Sequence, residues 1–132
     1  MNEITFKKNE DPRGVLISLE IFNEIPFEIK RIYYIYNSSS DVSRGFHAHK
    51  NLKQVLVAVS GSMTLKIENC NENKTIKLDS PEKGILIDSV CWREMYDFTD
   101  DCVLLVIASE KYDQDDYIHN YDDFRRIVEN VI

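Results

Sequence analysis

Arg44-Gly45-Phe46-His47-Ala48-His49-Lys50 sets two histidines two residues apart. The segment reads as β, and alternate side chains of a strand share a face, so both imidazoles point the same way. Two imidazoles on one face make either half of a metal site or an acid/base pair, and histidine titrates close enough to neutral pH to serve as either. The bland alternative is a pair of satisfied, half-buried strand residues. That reading suits a lone histidine better than two beside Arg44 and Lys50.

The elements that position this pair are short and β-rich. Val15–Glu20 reads as a strand after the turn Asp11-Pro12-Arg13-Gly14, and Ile29–Tyr36 is rich in β-branched and aromatic residues. Asn37–Asp41 is a loop, so His47 and His49 enter just after it. Gln54–Val59, Met63–Glu68, Lys74–Leu78, Ile85–Ile87, Trp92–Phe98 and Cys102–Ala108 follow as strands. Polar or glycine turns at Ser60–Ser62, Asn69–Asn73 and Ser80–Gly84 separate them. Tyr121–Val128 spaces its apolar residues as a short C-terminal helix does. Many short strands with turns between them predict an all-β antiparallel sandwich or barrel with a pocket at its mouth.

The chain has 132 residues, one domain's worth (1–132), long enough to bury a core without disulfides. With 43% hydrophobic and 30% charged residues it is globular rather than disordered. The net charge of −7 and the lack of a basic stripe argue against a nucleic-acid partner. An anionic small molecule needs only a few local donors and stays open. Cys70, Cys91 and Cys102 show no CxxC spacing and read as reduced thiols of a cytoplasmic protein. No run is long enough to span a membrane, and the N-terminus does not read as a signal peptide.

Gly45-x-His47-x-His49, with Gln54 and Gly61 beyond, resembles the first motif of the cupin jelly rolls. Metal-binding cupins usually carry a glutamate ligand where Gln54 stands, and a second motif supplies a histidine soon after a Pro-x-Gly. Here Pro81-Glu82-Lys83-Gly84 is followed by no histidine until His119. A divalent metal wants several anionic or imidazole ligands, so this set favours acid/base work with no metal.

A narrower resemblance spans nearly the whole chain. Asp11-x-Arg13-Gly14-x-Leu16, Lys30-Arg31-x-Tyr33-Tyr34, Arg44-Gly45-x-His47-Ala48-His49-Lys50, Trp92-x-Glu94-Met95-x-x-Phe98 and Tyr112-Asp113-x-x-Asp116-Tyr117-Ile118 occur in order. Together they are similar to the sugar 3,4-ketoisomerases that act on dTDP-4-keto-6-deoxyglucose. The resemblance implies a cupin-type jelly roll and no cofactor. It implies a homodimer exchanging N-terminal strands, and a product passed to an aminotransferase for 3-amino-3,6-dideoxyhexoses of surface glycans.

By that resemblance His49 is expected as principal base and His47 as its acid or shuttle partner, although spacing does not say which ring does which step. Tyr33 is expected to donate to the oxyanion, with a core aromatic as its equal alternative. Tyr34 then becomes the core member. Arg31, Arg44 and Lys50 are expected at the pyrophosphate, each also readable as a solvated charge. Gln54 is placed among the substrate-binding residues, Tyr36 against thymine, and Arg93 where it helps select the protonated face of carbon 4. His119 stands where relatives often carry arginine. The competing functions are a 3,5-epimerase, a non-catalytic sugar-binding cupin and a metal-dependent oxygenase. The epimerases pair their base histidine with an aspartate and use a tyrosine acid in a different motif context, which is not found here.

Overall fold

The computed structural model describes residues 2–130. In chain order the strands are β1 (Asn2–Thr5), β2 (Asn9–Asp11), β3 (Gly14–Leu16), β4 (Arg31–Ile35), β5 (Arg44–His49) and β6 (Gln54–Ser60). They continue with β7 (Met63–Glu68), β8 (Asn73–Leu78), β9 (Lys83–Ile87), β10 (Trp92–Tyr96) and β11 (Val103–Ala108). A 3₁₀ turn at Gln114–Asp116, β12 (Tyr117–Ile118) and helix α1 (Tyr121–Glu129) complete the chain.

Two five-stranded sheets, ordered β1-β9-β6-β11-β4 and β12-β5-β10-β7-β8, face each other, and their strand pairings are antiparallel. This is the expected antiparallel sandwich. Inward residues of both sheets form the main core, with Leu56, Leu65, Ile67, Ile85, Leu104 and Val106 essentially without solvent contact. Strand alternation decides which residues these are, because a register slip of one would turn every apolar side chain outward.

Each outer face is covered differently. On the second sheet, Phe124 and Val128 of α1 pack against Ala48, Trp92 and Ile118. Ala48 therefore faces the helix, and its neighbours His47 and His49 must face inward. Asn120 caps α1, its side chain accepting from the Asp123 amide at 3.0 Å, and Asp122 and Asp123 in the first turn suit the helix dipole. On the first sheet, Phe6, Ile25 and Phe27 cover Val55, Val57, Leu86 and Ile107. The rest of that face stays open, with Ile32 57% and Tyr34 64% exposed. Tyr34 is thus not the core member expected of it, because alternation turns it outward and no described segment of this chain lies over it.

Several limits differ from the sequence reading. The strand expected over Val15–Glu20 stops at Leu16, and Ile17 and Leu19 pack on the first sheet without strand pairing. β10 ends at Tyr96 because Asp97 adopts φ +54°, outside the extended region. β1 and β12, too short for a periodic signal, are held by pairing with β9 and β5.

Candidate active site

His47 and His49 enter one end of the sandwich from β5, while Arg31 and Tyr33 enter from β4, Gln54 from β6 and Arg93 from β10. Arg93 stands opposite His47 in the β5–β10 ladder. That close pairing requires Gly45, whose φ is +89° and whose added Cβ would lie 2.8 Å from the Arg93 carbonyl oxygen. The Gly45 carbonyl in turn lies 3.1 Å from His47 Nδ1. A carbonyl can only accept, so Nδ1 carries the proton and Nε2 keeps its lone pair.

His49 is held the same way by a different group. Its Nδ1 lies 3.2 Å from Asp116 Oδ2, and the ring is 2% exposed. Asp116 also accepts from the backbone N–H groups of Asn51 at 2.8 Å and Leu52 at 3.3 Å. The two imidazoles meet edge to face with centroids 4.8 Å apart, and the Tyr117 ring lies 4.3 Å from His49. An aspartate–histidine pair is therefore present, a contact that the sequence reading did not anticipate. Asp116 is 67 residues from His49 and reaches it only because β12 pairs with β5, Tyr117 opposite His49. The one sequence signal was the Tyr112–Ile118 block, which gave Asp116 no role.

Burial pushes the His47 pKa from its usual 6.5 down to about 4, and the Arg93 charge adds to this while the Gly45 bond opposes it. Burial lowers His49 further, with Arg93, His47, Arg31 and His119 acting in the same direction. Both rings are neutral, and so able to accept a proton, at pH 7.

Arg93 is among the largest fully buried side chains, and its hydrogen bonds among the described residues go to an amide and a carbonyl rather than to a carboxylate. One guanidinium nitrogen donates to Gln54 Oε1, and another reaches the Cys91 carbonyl at 3.4 Å. Gln54 Nε2 then donates to Tyr33 Oη at 2.9 Å. The oxygen of Tyr33 is thereby occupied as an acceptor, and its O–H is left to donate elsewhere. Burial is the main cause of a raised Tyr33 pKa, with Arg93 and Gln54 opposing, so the phenol stays protonated at neutral pH. Gln54, expected among the substrate-binding residues, is 3% exposed, with one end of its amide engaged by Arg93 and the other by Tyr33. Arg93 faces the histidines and not solvent.

A cavity of about 840 Å³ opens beside His49, lined by Lys30, Arg31, Lys111, Tyr112, Asp116 and Tyr117 among others. The Arg31 guanidinium lies 5.0 Å from the Tyr33 ring centre and 5.8 Å from that of Tyr112. Its buried Nε, like that of Arg93, has no acceptor among the described residues. Arg31, Lys30 and Lys111 can meet an anion here.

Three expected contacts are not brought to this cavity. Arg44 is exposed at the opposite end of β5 from His49. Lys50 donates to the Asp115 carbonyl at 3.1 Å and borders a smaller hollow with Tyr117, His119 and Arg126. Tyr36 is 59% exposed and stacks with Tyr34 on the outer side, 6.2 Å between ring centres, because residues two apart beyond β4 share that face. Among the described residues, no three His, Cys, Asp or Glu side chains converge as a ligand set for a metal.

The family model described as "FdtA: WxcM-like, C-terminal" matches residues 1–129. A curated relative from Aneurinibacillus thermoaerophilus, a TDP-4-oxo-6-deoxy-alpha-D-glucose-3,4-oxoisomerase, is 45% identical over 97% of this chain and 92% of its own. The chain belongs to the FdtA-like sugar 3,4-ketoisomerase family. Solved members superpose closely. The 3,4-ketoisomerase of Helicobacter canadensis gives a TM-score of 0.93 at 45% identity, covering 97% of this chain and 96% of that one. The QdtA ketoisomerase of Thermoanaerobacterium thermosaccharolyticum, a His-to-Asn variant in complex with TDP-4-keto-6-deoxyglucose, gives 0.95 at 44% identity, covering 99% and 95%. A 4-keto-6-deoxy sugar epimerase from Streptomyces spheroides shares the fold alone, at 17% identity and a TM-score of 0.73. The ketoisomerase family's jelly roll is thus the fold that the motifs implied.

Proposed function

We propose that this chain moves the ketone of dTDP-4-keto-6-deoxyglucose from carbon 4 to carbon 3 by proton transfer through an enediol, using its own side chains and no metal. The observation that carries this reading is the convergence of two neutral imidazoles with bare Nε2 atoms and a protonated Tyr33 at one end of the sandwich. Membership of a family with named 3,4-ketoisomerases supplies the substrate class.

The chemistry needs two proton movements. The hydrogen on carbon 3, acidified by the adjacent ketone, leaves for a base as the carbonyl oxygen gains negative charge. Tyr33, aimed by Gln54, donates to that oxygen. The hydroxyl proton on oxygen 3 then departs as carbon 3 becomes the ketone, and carbon 4 receives a proton. We assign the carbon-bound proton to His47 Nε2 and the hydroxyl proton to His49 Nε2. This reverses the order of roles expected from the sequence. The histidine replaced in one QdtA variant and the arginine replaced in another are separated by the same number of residues as His47 and Arg93. To Arg93, opposite His47 in the ladder, we assign a part in selecting the face protonated at carbon 4. Arg31, Lys30 and Lys111 hold the pyrophosphate. The 3-keto product suits an aminotransferase that installs a 3-amino group.

The open face of the first sheet, with Ile32, Tyr34, Tyr36 and Val59 exposed, and the separate β2–β3 hairpin exposing Val15 and Leu16, suit a homodimer with exchanged N-terminal strands. Light scattering at micromolar concentration should give twice the chain mass, and a monomer would refute it.

Incubation with dTDP-4-keto-6-deoxyglucose in deuterated water, followed by NMR, should give the 3-keto product with deuterium at carbon 4. Turnover should survive a chelator, and His47→Asn should abolish it. No product, or complete loss with chelator, refutes the proposal. Product altered at carbon 5 would favour the epimerase reading, and binding without exchange the non-catalytic one.

A further inference from the structure

Asp116 occupies a place that neither packing nor surface charge explains. It is a carboxylate 9% exposed, and it accepts from two consecutive backbone amides, Asn51 and Leu52, and faces a ring nitrogen of His49. The amides hold the carboxylate still in the β5–β6 connection, and the carboxylate holds the ring. Among the described residues Asp116 is the hydrogen-bond partner of His49 Nδ1, and the ring is walled by His47 and Tyr117. Its tautomer is thus decided at one contact.

We infer that Asp116 is a positioning residue that fixes His49 as the Nδ1–H tautomer, so that Nε2 presents a lone pair to the sugar hydroxyl. When Nε2 takes the proton from oxygen 3, the ring becomes imidazolium and the carboxylate at Nδ1 stabilises it. The proton is returned as the ring delivers it to oxygen 4, and the ring ends neutral as it began. His47 needs no such partner because the Gly45 carbonyl fixes its tautomer. The division fits the two jobs. A backbone dipole sets the tautomer of one ring, and a carboxylate sets that of the ring whose protonation is opposed by burial first and then by Arg93, His47 and Arg31.

The catalytic half of this inference rests on the ketoisomerase reading, but the tautomer half does not. The test is therefore read twice on the intact protein. Histidine-ring 15N labelling with two-bond 1H–15N correlation at pH 7 should show wild-type His49 protonated at Nδ1 alone. In Asp116→Asn the single carbonyl oxygen keeps the shorter bond, from the Asn51 amide at 2.8 Å, and the new NH₂ gives up the 3.3 Å bond from the Leu52 amide and faces Nδ1 as a donor, which drives the ring proton to Nε2. The same variant should lose about 100- to 10,000-fold in kcat with KM changed by less than about threefold, as expected when a base is held in the wrong tautomer. Asp116→Glu keeps a carboxylate and should retain the Nδ1–H form and a larger share of kcat, which also covers the case in which Asp116→Asn does not fold. A wild-type His49 protonated at Nε2 overturns the inference. So does an Asn variant with unchanged tautomer and kcat, or a Glu variant with neither tautomer nor activity preserved. A protein that turns over no keto-sugar yet shows the tautomer switch removes the function and leaves the positioning role standing.

Discussion

The Gln54→Glu substitution changes one group and reverses one hydrogen bond. In the wild type the amide N–H donates to Tyr33 Oη at 2.9 Å, and its carbonyl accepts from Arg93. A carboxylate has only acceptors, so the substituted side chain would take the Tyr33 hydroxyl proton into its own bond and withdraw it from the sugar oxygen. Removing one oxyanion donor typically costs about 100- to 1,000-fold in kcat, or roughly 3–4 kcal/mol of barrier. Stability should move the other way. Arg93 is a fully buried cation facing an amide, and a carboxylate of the same shape would pair it. The expected result is a fall in kcat of that size, KM within about threefold, and a thermal midpoint equal to or above wild type. Product formation followed by NMR and a melting curve on the same preparation decide it. A kcat within about threefold of wild type refutes the relay from Arg93 to Tyr33, and a raised KM with unchanged kcat would return Gln54 to a substrate-contact role.

Protonation of His47 links activity and stability to pH. Its folded pKa of about 4 lies below the unfolded value near 6.5, so the unfolded chain binds a proton that the folded chain refuses. Stability from this group is full above pH 6.5, declines as pH falls towards 4 and then levels, by about 2–3 kcal/mol once screening of the partly exposed ring is allowed for. Urea titrations across that range check it, and His47→Asn should flatten the slope. The acid limb of kcat/KM should likewise fall below pH 6.5, near 4–5 rather than at the usual histidine value. Gly45→Ala forces a Cβ to within 2.8 Å of the Arg93 carbonyl at a φ of +89°, and should cost about 2–3 kcal/mol in urea unfolding together with most of the activity, because the His47 tautomer loses its carbonyl. Arg93→His should change the ratio of product configurations at carbon 4 in the NMR assay, and an unchanged ratio removes that role from Arg93.

Much of the machinery is legible in the sequence because it is local. Alternation along Arg44–His49 puts both imidazoles on one face, and the apolar helical spacing of Tyr121–Val128 supplies the element that covers Ala48 on the other. The same rule brings Arg31 and Tyr33 inward together and turns Tyr34 and Tyr36 outward. Whether an outward aromatic is then buried depends on what covers the sheet, which alternation does not say, and so Tyr34 is exposed rather than core. Motif order over the whole chain indicates the family and hence the class of reaction.

What the tertiary structure decided is every pairing between distant strands. Residue type told nothing of Asp116 meeting His49, because a two-residue strand carries no period and its place comes from the β5 edge alone. Nor did it show Gln54 bridging Arg93 and Tyr33, three side chains from three strands whose directions are set by two sheets closing on a shared core. The chain's local chemistry determined which groups are available and which way each points. Only folding fixed which partner each one meets, and so which nitrogen holds a proton and which oxygen is left to give one.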